Sequence, residues 1–208
     1  MSLTVALSKG RLLRGTEELF RRAGLPVPDS ASRRLVYEQD GLRFLFVKDQ
    51  DVPTYVEHGV ADVGVAGRDV LLESRSELYE PLDLGFGACR LVVARPADKP
   101  FGAPRRVASK YAKVAAAHFL QKGLSVEVVP LAGSVELAAV LGLADCIVDV
   151  VESGRTLAEN GLVVQEEVAR STARLVVNRA AFHARRVEIQ GLVAQLAAAV
   201  SQEREAVR

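Results

Sequence analysis

The sequence predicts an α/β fold, because short apolar runs rich in β-branched residues alternate with amphipathic segments along most of the chain. Loops that contain glycine and charged residues follow several of the predicted strands, as expected where a strand leads into a helix. The alternation stops in a stretch with three prolines at residues 95–106 and then starts again. The pattern therefore predicts two α/β segments joined by a surface connection.

In the first half, strands are predicted over residues 3–7, 42–47, 61–66, 82–84 and 91–94. A helix over residues 12–23 follows the first strand, since its leucines and Phe20 recur on one face. After the second strand, Asp51 is expected to cap a helix and Pro53 to open it. The segment after the third strand, G-R-D-V-L-L-E, predicts another strand-to-helix unit.

In the second half, strands are predicted over residues 107–108, 126–129, 146–151, 162–168 and 174–177, with helices over residues 110–122 and 134–141. The chain then ends in one long helix, over residues 188–200. Its apolar residues recur at spacings of three and four, which predicts one face packed against the core. A partner-binding helix is the alternative.

Composition limits the class of protein. With 208 residues, 49% of them hydrophobic, and a net charge of +1, the chain is expected to form a soluble globular protein of one large or two small domains. The balance of 27 basic and 26 acidic residues argues against a protein that coats nucleic acid, although it leaves room for local basic clusters. Cys89 and Cys146 lack metal or disulfide spacing and are expected to be reduced core residues. No signal peptide or membrane span is predicted, so the expected compartment is the cytoplasm.

The most informative stretch is A-D-C-I-V-D-V-V-E-S-G-R-T-L-A-E-N, at residues 144–160. An apolar run interrupted by Asp149 and closed by Glu152 leads into Ser153, Gly154 and Thr156, which open a predicted helix. The N–H groups and the positive dipole end of a helix start favour an anion, and hydroxyl groups add donors. The two carboxylates can accept hydrogen bonds from sugar hydroxyls or hold Mg²⁺. The stretch therefore predicts a site for a phosphorylated ribose.

The same residues also fit a purely structural interpretation. Thr156 followed by Glu159 has the spacing of a helix capping box, and Gly154 could serve as a turn residue alone. Asp149 favours the functional interpretation, because a charged group in an apolar run is costly if it is buried without a partner. We therefore expect Asp149 to face a wet cleft or a ligand.

Two further loops carry charged residues after predicted strands, S-K-G-R at residues 8–11 and A-G-R-D at residues 66–69. Ligands of α/β sheets bind beyond the carboxyl ends of the strands, so these loops and E-S-G-R-T are expected to face one cleft. A basic loop can equally be a solvated surface loop. The S-K-G-R loop lacks the G-x-x-x-x-G-K-[ST] spacing of nucleotide hydrolases, which argues against that class.

Several long motifs together resemble the ATP phosphoribosyltransferase family. They are L-T-V-A-L-S-K-G-R (residues 3–11), D-V-P-T-Y-V-E-H-G-V-A-D-V-G-V-A-G-R-D-V-L (51–71), D-L-G-F-G-A-C-R (83–90), R-V-A-S-K-Y (106–111), G-S-V-E-L (133–137) and G-L-A-D-C-I-V-D-V-V-E-S-G-R-T-L-A-E-N-G-L (142–162). They are collinear and span nearly the whole chain, so chance is a poor explanation.

The resemblance implies the first step of histidine biosynthesis, in which N1 of ATP displaces pyrophosphate from phosphoribosyl pyrophosphate, with Mg²⁺ bound to the pyrophosphate. It implies a two-domain architecture similar to type II periplasmic binding proteins, with the active site in the interdomain cleft. Residues 1–88 and 175–208 would form domain I, and residues 89–174 would form domain II. The length resembles the short form, a catalytic subunit that works with a histidyl-tRNA synthetase-like regulatory subunit and as a homodimer.

The resemblance also implies roles for individual residues. Phosphoribosyl pyrophosphate would contact Glu136, Asp149, Glu152, Ser153, Gly154, Arg155 and Thr156. Lys9, Arg11 and Arg33 would neutralise the departing pyrophosphate, and Gly67, Asp69 and Cys89 would line the ATP pocket. No side chain is assigned as a metal ligand.

The chemistry needs no strong base, because N1 of adenine carries no proton, so His58, His118 and His183 are expected to be structural. Two rivals remain: a binding protein of the same architecture without a reaction, and a phosphoribosyltransferase that acts on another base. Neither nucleic acid nor a membrane is expected as a partner.

Overall fold

A computed structural model gives the fold and describes residues 2–27, 33–99 and 102–206. The chain forms two compact units, one of Met1–Gly87 with Thr172–Arg208 and one of Ala88–Ser171. The chain passes from one unit to the other twice. Hydrogen bonds within the first unit hold the residues beside these two points: the Ala173 N–H donates to the Phe86 carbonyl (2.9 Å), and the Arg68 N–H donates to the Thr172 carbonyl (3.0 Å).

The strands are β1 (Leu3–Ser8), β2 (Val36–Gln39), β3 (Leu42–Val47), β4 (Val63–Gly67), β5 (Tyr79–Asp83), β6 (Cys89–Pro96), β7 (Arg106–Ser109), β8 (Glu127–Pro130), β9 (Cys146–Val151), β10 (Leu162–Ser171) and β11 (Ala173–Val177). The helices are α1 (Leu13–Arg22), α2 (Val52–Glu57), α3 (Arg68–Ser74), α4 (Ala112–Gln121), α5 (Glu136–Val140), α6 (Arg155–Glu159), α7 (Arg179–Ala184) and α8 (Arg186–Ala206).

The first unit contains a mixed sheet with the strand order β2-β3-β1-β4-β11-β5. β1 is parallel to β3 and to β4, whereas β2 and β11 are antiparallel to their neighbours. β1 is buried on both faces: Val5 and Leu7 pack in the core that contains α1 and α8 residues, and Ala6 packs in a second core with Val52 and Val56 of α2. Burial on both faces explains why the β1 sequence is apolar without alternation.

The second unit contains a mixed sheet with the order β10-β6-β9-β7-β8. β9 is antiparallel to β6 and parallel to β7, and its Ile147 and Val148 are fully buried. Val92, Ala108 and Leu157 pack in the same core as Ile147, which fixes α6 against the sheet. The strand that carries Asp149 is therefore the central strand of this unit.

The structure confirms most of the predicted elements, including the apolar face of the long helix, where Ile189, Leu192 and Leu196 are buried. Cys89 and Cys146 are buried and neither is in a disulfide, and burial raises the pKa of the Cys146 thiol to about 12. Within the described ranges, no helix is long and apolar enough to span a membrane.

Three details differ from the sequence-based expectations. β2 and α7 were not predicted, because β2 is a short, half-exposed edge strand and α7 has no buried residue. Asp51 occupies the N-cap position of α2 but makes no cap hydrogen bond with its side chain, since a 3₁₀ turn (Asp49–Asp51) already gives it helical dihedral angles. A domain boundary between residues 174 and 175 would cut β11, so the crossing lies before Thr172.

Asn178 provides a test of how the C-terminal segment is attached. Its side chain accepts a hydrogen bond from the Ala181 N–H at the start of α7 and donates to the carbonyls of Val56 (2.8 Å) and Glu57 (3.0 Å). We expect Asn178→Ala to lower the free energy of unfolding by about 2–4 kcal/mol, from a lost cap and buried carbonyls without a donor.

The chain offers one matched control, because its other asparagine, Asn160, is exposed, and its side chain donates only to the Thr156 carbonyl among the contacts of the described residues. Asn160→Ala should change the free energy of unfolding by about 0.5 kcal/mol or less. Urea unfolding curves of both variants measure the difference. Equal losses would contradict the anchoring role of Asn178.

Candidate active site

A tight loop joins the buried end of β9 to the first turn of α6. Gly154 precedes the helix with φ of 79° and ψ of 0°, a left-handed conformation that glycine adopts without steric cost. The chain can therefore turn sharply after Glu152 and Ser153, both of which are exposed. The loop is short because the apolar residues on either side of it, Val151 and Leu157, both pack in the core.

This loop borders a cavity of about 270 Å³ in the second unit. The cavity is lined by Glu136, Asp149, Val150, Val151, Glu152, Ser153, Gly154, Arg155, Thr156 and Leu157. All seven residues that were predicted to contact phosphoribosyl pyrophosphate are among them. Glu136 is far away in sequence and reaches the cavity as the first residue of α5.

The prediction missed the apolar walls of this cavity. Val150, Val151 and Leu157 line it together with the polar residues. The sequence carried a signal for two of them, because Val150 and Val151 stand directly between Asp149 and Glu152. An apolar wall beside the carboxylates would lower the local polarity and strengthen hydrogen bonds to a ligand.

The capping-box interpretation of Thr156 and Glu159 is wrong. Thr156 lies inside α6 rather than at its N-cap, and within the described chain the N-cap residue Gly154 provides no side-chain hydrogen bond to the helix. Glu159 instead accepts a hydrogen bond from Nε of Arg155 (2.8 Å). The Arg155 N–H has a long contact of 3.4 Å to the Ser153 hydroxyl. The Thr156 side chain is therefore not occupied in capping its own helix.

Two aspartates lie near opposite ends of β9 and differ in their surroundings. The Asp145 carboxylate accepts hydrogen bonds from the N–H groups of Arg106 (2.9 Å) and Arg105 (2.8 Å), which hold the pKa of Asp145 below its ordinary value. The Asp149 carboxylate accepts a hydrogen bond from the adjacent Val150 N–H (2.8 Å) and lines the cavity. Asp145 stabilises a loop, whereas Asp149 faces space for a ligand.

The charged residues of the S-K-G-R loop lie in the first unit. The Lys9 ammonium is 4.9 Å from the centre of the Phe46 ring. Arg11 donates from Nη1 to the Gly87 carbonyl (2.6 Å), and its Nη2 is 3.6 Å from Oδ1 of Asp69. The structure therefore brings the S-K-G-R and A-G-R-D loops together through an ion pair.

The remaining predicted residues are Arg33, Gly67 and Cys89. Arg33 is exposed and lies just before β2. Gly67 is the last residue of β4, next to the buried Asp69. Cys89 is the buried first residue of β6 and belongs to the second unit.

The histidines have different surroundings. His58 and His183 are exposed, whereas Nε2 of His118 is 3.0 Å from Oε1 of Glu166 and ties α4 to β10. Burial raises the pKa of Glu166, but hydrogen bonds from Lys122 and His118 outweigh it and hold that pKa below its ordinary value. His118 thus has a structural contact, as expected.

Three carboxylates line the cavity, those of Glu136, Asp149 and Glu152. Among the described residues, however, no three histidine, cysteine, aspartate or glutamate side chains are grouped closely enough to hold a metal ion. The three carboxylates of the cavity are oxygen ligands of the kind that Mg²⁺ prefers.

Sequence comparison adds the family. The family model described as ATP phosphoribosyltransferase matches residues 48–198. An ATP phosphoribosyltransferase of Caldanaerobacter subterraneus is 48% identical over 200 residues, which cover 93% of this chain and 95% of that protein. The one from Thermus thermophilus is 48% identical over 198 residues, which cover 94% and 95%.

Comparison with solved structures identifies the same family and shows that other proteins share its fold. A chain of an ATP phosphoribosyl transferase (HisG:HisZ) complex from Thermotoga maritima matches with a TM-score of 0.86 and 33% identity, over 96% of this chain and 99% of that one. The sulphonate-binding periplasmic protein of Escherichia coli matches with a TM-score of 0.62 and 13% identity, over 99% of this chain and 74% of that one, a likeness of fold alone. The predicted type II periplasmic-binding-protein fold class is confirmed. On the family match and on the identity across nearly its whole length, the chain belongs to the ATP phosphoribosyltransferase family.

Proposed function

We propose that this chain catalyses the reaction of its family with the cavity beside α6 as its phosphoribosyl site. The chain is a pentosyltransferase of the first step of histidine biosynthesis, which joins ATP and phosphoribosyl pyrophosphate to give phosphoribosyl-ATP and pyrophosphate. The observation that carries the site assignment is the gathering of seven predicted residues around one cavity.

In the proposed mode of binding, the loop Ser153–Thr156 holds the 5′-phosphate. Its hydroxyl groups and backbone N–H groups are hydrogen-bond donors, and Arg155 adds a positive charge. Asp149, Glu152 and Glu136 are acceptors and cannot bind the phosphate, so they face the ribose hydroxyls. This division places donors against the phosphate and acceptors against the sugar, as the two chemical groups require.

The reaction is a displacement at the anomeric carbon of the ribose. The bond from that carbon to the pyrophosphate oxygen breaks as the bond to N1 of adenine forms, and the electron pair leaves with pyrophosphate. Lys9, Arg11 and Arg33 are proposed to stabilise this developing negative charge. N1 carries no proton, so the attack needs no general base.

Mg²⁺ is proposed to enter with the substrate, bound to the pyrophosphate, where it would neutralise charge on the leaving group. The residues around the cavity fit this arrangement, because they supply carboxylate oxygens without forming a closed metal site. Glu136, Asp149 or Glu152 would supply at most part of the coordination shell.

The residues expected at the ATP pocket are all buried. Gly67, Asp69 and Cys89 were predicted to line this pocket, but Asp69 and Cys89 are buried. Gly67 is buried as well. Any contact of these three residues with ATP would therefore be made through backbone atoms or after movement of neighbouring side chains.

The partner proposal rests on the Thermotoga maritima relative, which was solved as a complex of two kinds of subunit. We propose that this chain likewise works with a histidyl-tRNA synthetase-like regulatory subunit, as a homodimer within a larger assembly in the cytoplasm. In this proposal the catalytic residues lie in the present chain and histidine binds to the partner.

Asp149 provides the sharpest test of the phosphoribosyl site. Asp149→Asn keeps the size of the side chain but removes its charge, so a charge-assisted hydrogen bond to a ribose hydroxyl is lost. Affinity for phosphoribosyl pyrophosphate should fall by about 1–3 kcal/mol, while ATP affinity stays within about twofold. Calorimetric titration of each substrate measures both, with the melting temperature recorded in parallel.

Asp145→Asn is the matched control, because Asp145 lies just before the opposite end of the same strand, and its carboxylate accepts only from backbone N–H groups among the hydrogen bonds described. It should lower the melting temperature without changing affinity for phosphoribosyl pyrophosphate. If Asp149→Asn behaves like this control, Asp149 has a structural role alone.

Arg33 tests the stabilisation of the leaving group. Arg33→Ala should lower kcat by about 10²-fold or more, by analogy with the loss of one transition-state donor. Its exposed neighbour provides the control, since Arg34→Ala removes the same charge one residue away and should change kcat by about threefold or less. Single-turnover rates of both variants decide the question, and equal rates would remove Arg33 from the mechanism.

The division of labour between subunits can be tested with the purified chain. With Mg²⁺, ATP and phosphoribosyl pyrophosphate, it should form phosphoribosyl-ATP, and free adenine should not replace ATP. Addition of the regulatory subunit should raise the rate and make it sensitive to histidine. Strong inhibition of the isolated chain by histidine would contradict this division, and binding without turnover would favour a binding protein of the same fold.

A further inference from the structure

We propose that Asp69 is a positioning residue that orients the guanidinium of Arg11, and that it is not a ligand of ATP. This inference rests on the proposed role of Arg11 at the leaving pyrophosphate. It replaces the sequence-based assignment of Asp69 to the ATP pocket.

The two side chains differ in exposure. Nη2 of Arg11 is 3.6 Å from Oδ1 of Asp69, and the Asp69 side chain is only 4% exposed, whereas that of Arg11 is 31% exposed. A ligand in solution can thus reach the guanidinium far more easily than the carboxylate. This difference suits a pair in which the Asp69 carboxylate holds the Arg11 guanidinium in place and the guanidinium contacts an anion.

A second contact fixes the plane of the guanidinium. Nη1 of Arg11 donates to the Gly87 carbonyl at 2.6 Å, while Nη2 faces Asp69. Because a guanidinium is planar, two contacts on different nitrogens determine its orientation as well as its position. Arginine held in this way loses less conformational entropy when it meets a phosphate group.

The glycines of the two loops make room for this arrangement. A Cβ atom on Gly67 would lie 2.2 Å from Oδ1 of Asp69 and 3.5 Å from Nη2 of Arg11. A Cβ atom on Gly87 would lie 2.4 Å from Cδ2 of Leu12 and 3.5 Å from Nη1 of Arg11. Gly67 has an ordinary φ of −70°, so its lack of a side chain is explained by the carboxylate and not by its backbone conformation.

Electrostatics explains why this carboxylate can be buried. A charged carboxylate in the interior is costly unless it is paired and hydrogen-bonded. Asp69 lies in the first turn of α3, where the helix dipole favours negative charge, and Arg11 supplies the opposite charge. If either partner is removed, the other loses its opposite charge, so the two residues should act as one unit.

A double-mutant cycle separates a positioning residue from an ATP ligand. The variants are Asp69→Asn, which keeps size and one acceptor oxygen, Arg11→Ala, and the two combined. We expect Asp69→Asn to lower kcat by about 10- to 100-fold with the KM for ATP nearly unchanged, because a misplaced group loses transition-state contacts. In the Arg11→Ala background, Asp69→Asn should change kcat by about twofold or less.

Asp62 provides a matched structural control in the same unit. It pairs with Arg185 at 2.9 Å, with both side chains 18% exposed, and it also accepts a hydrogen bond from the Thr4 N–H. Asp62→Asn should lower the melting temperature as Asp69→Asn does but leave kcat unchanged. If both variants lower kcat equally, the effect of Asp69 is a general loss of stability and the proposal is overturned.

The remaining outcomes also decide the matter. Independent, multiplicative losses with a raised KM for ATP would make Asp69 a direct ligand of ATP. If the wild-type enzyme turns over and Arg11→Ala keeps the full wild-type rate, the inference is overturned, whereas the proposed reaction of the family still stands. If the wild-type chain shows no turnover, the proposed function fails. Calorimetric titration of inorganic pyrophosphate into the variants still decides the inference. Equal, non-additive losses of pyrophosphate affinity in the three variants support it, and additive losses overturn it.

Discussion

The pairing of β9 with strands on both sides is the constraint on which the candidate site depends. β6 and β7 hold the buried part of this strand, so Asp149 and the loop that follows occupy a fixed place at its end. The left-handed Gly154 then starts α6 without a longer connection. A rigid strand and a tight turn are suited to phosphate binding, since backbone N–H groups are useful only when their directions are fixed in advance.

In both units, buried or half-buried charged side chains meet groups of opposite charge. In the first unit, the Asp69 carboxylate is buried against Arg11, and Asp62 is paired with Arg185. In the second unit, Glu166 meets His118 and Lys122 at the edge of the sheet. These pairs cost desolvation and so are weak contributors to stability. Their role is to orient other groups, because each pair fixes a long side chain or a helix in one orientation.

Local sequence patterns predicted most of the strands and helices, because an element that is buried on one or both faces has apolar residues at regular spacings. The same reasoning failed for β2 and α7, which bury too little apolar surface to leave such a period. It also predicted a cap at Asp51 and left one open at Thr156, and neither side chain makes one, since capping depends on the dihedral angles of the residues before the helix. Composition around a helix start does not determine those angles.

The sequence by itself determined the fold class, the family and the polar residues of the loop between β9 and α6, because these residues are contiguous and their chemistry is local. Only the tertiary structure decided that Asp69 is buried against Arg11, 58 positions away in the sequence. Contacts between distant segments depend on how sheets and helices pack, and no local pattern encodes them. The sequence could name the charged groups, but packing decided which of them meet.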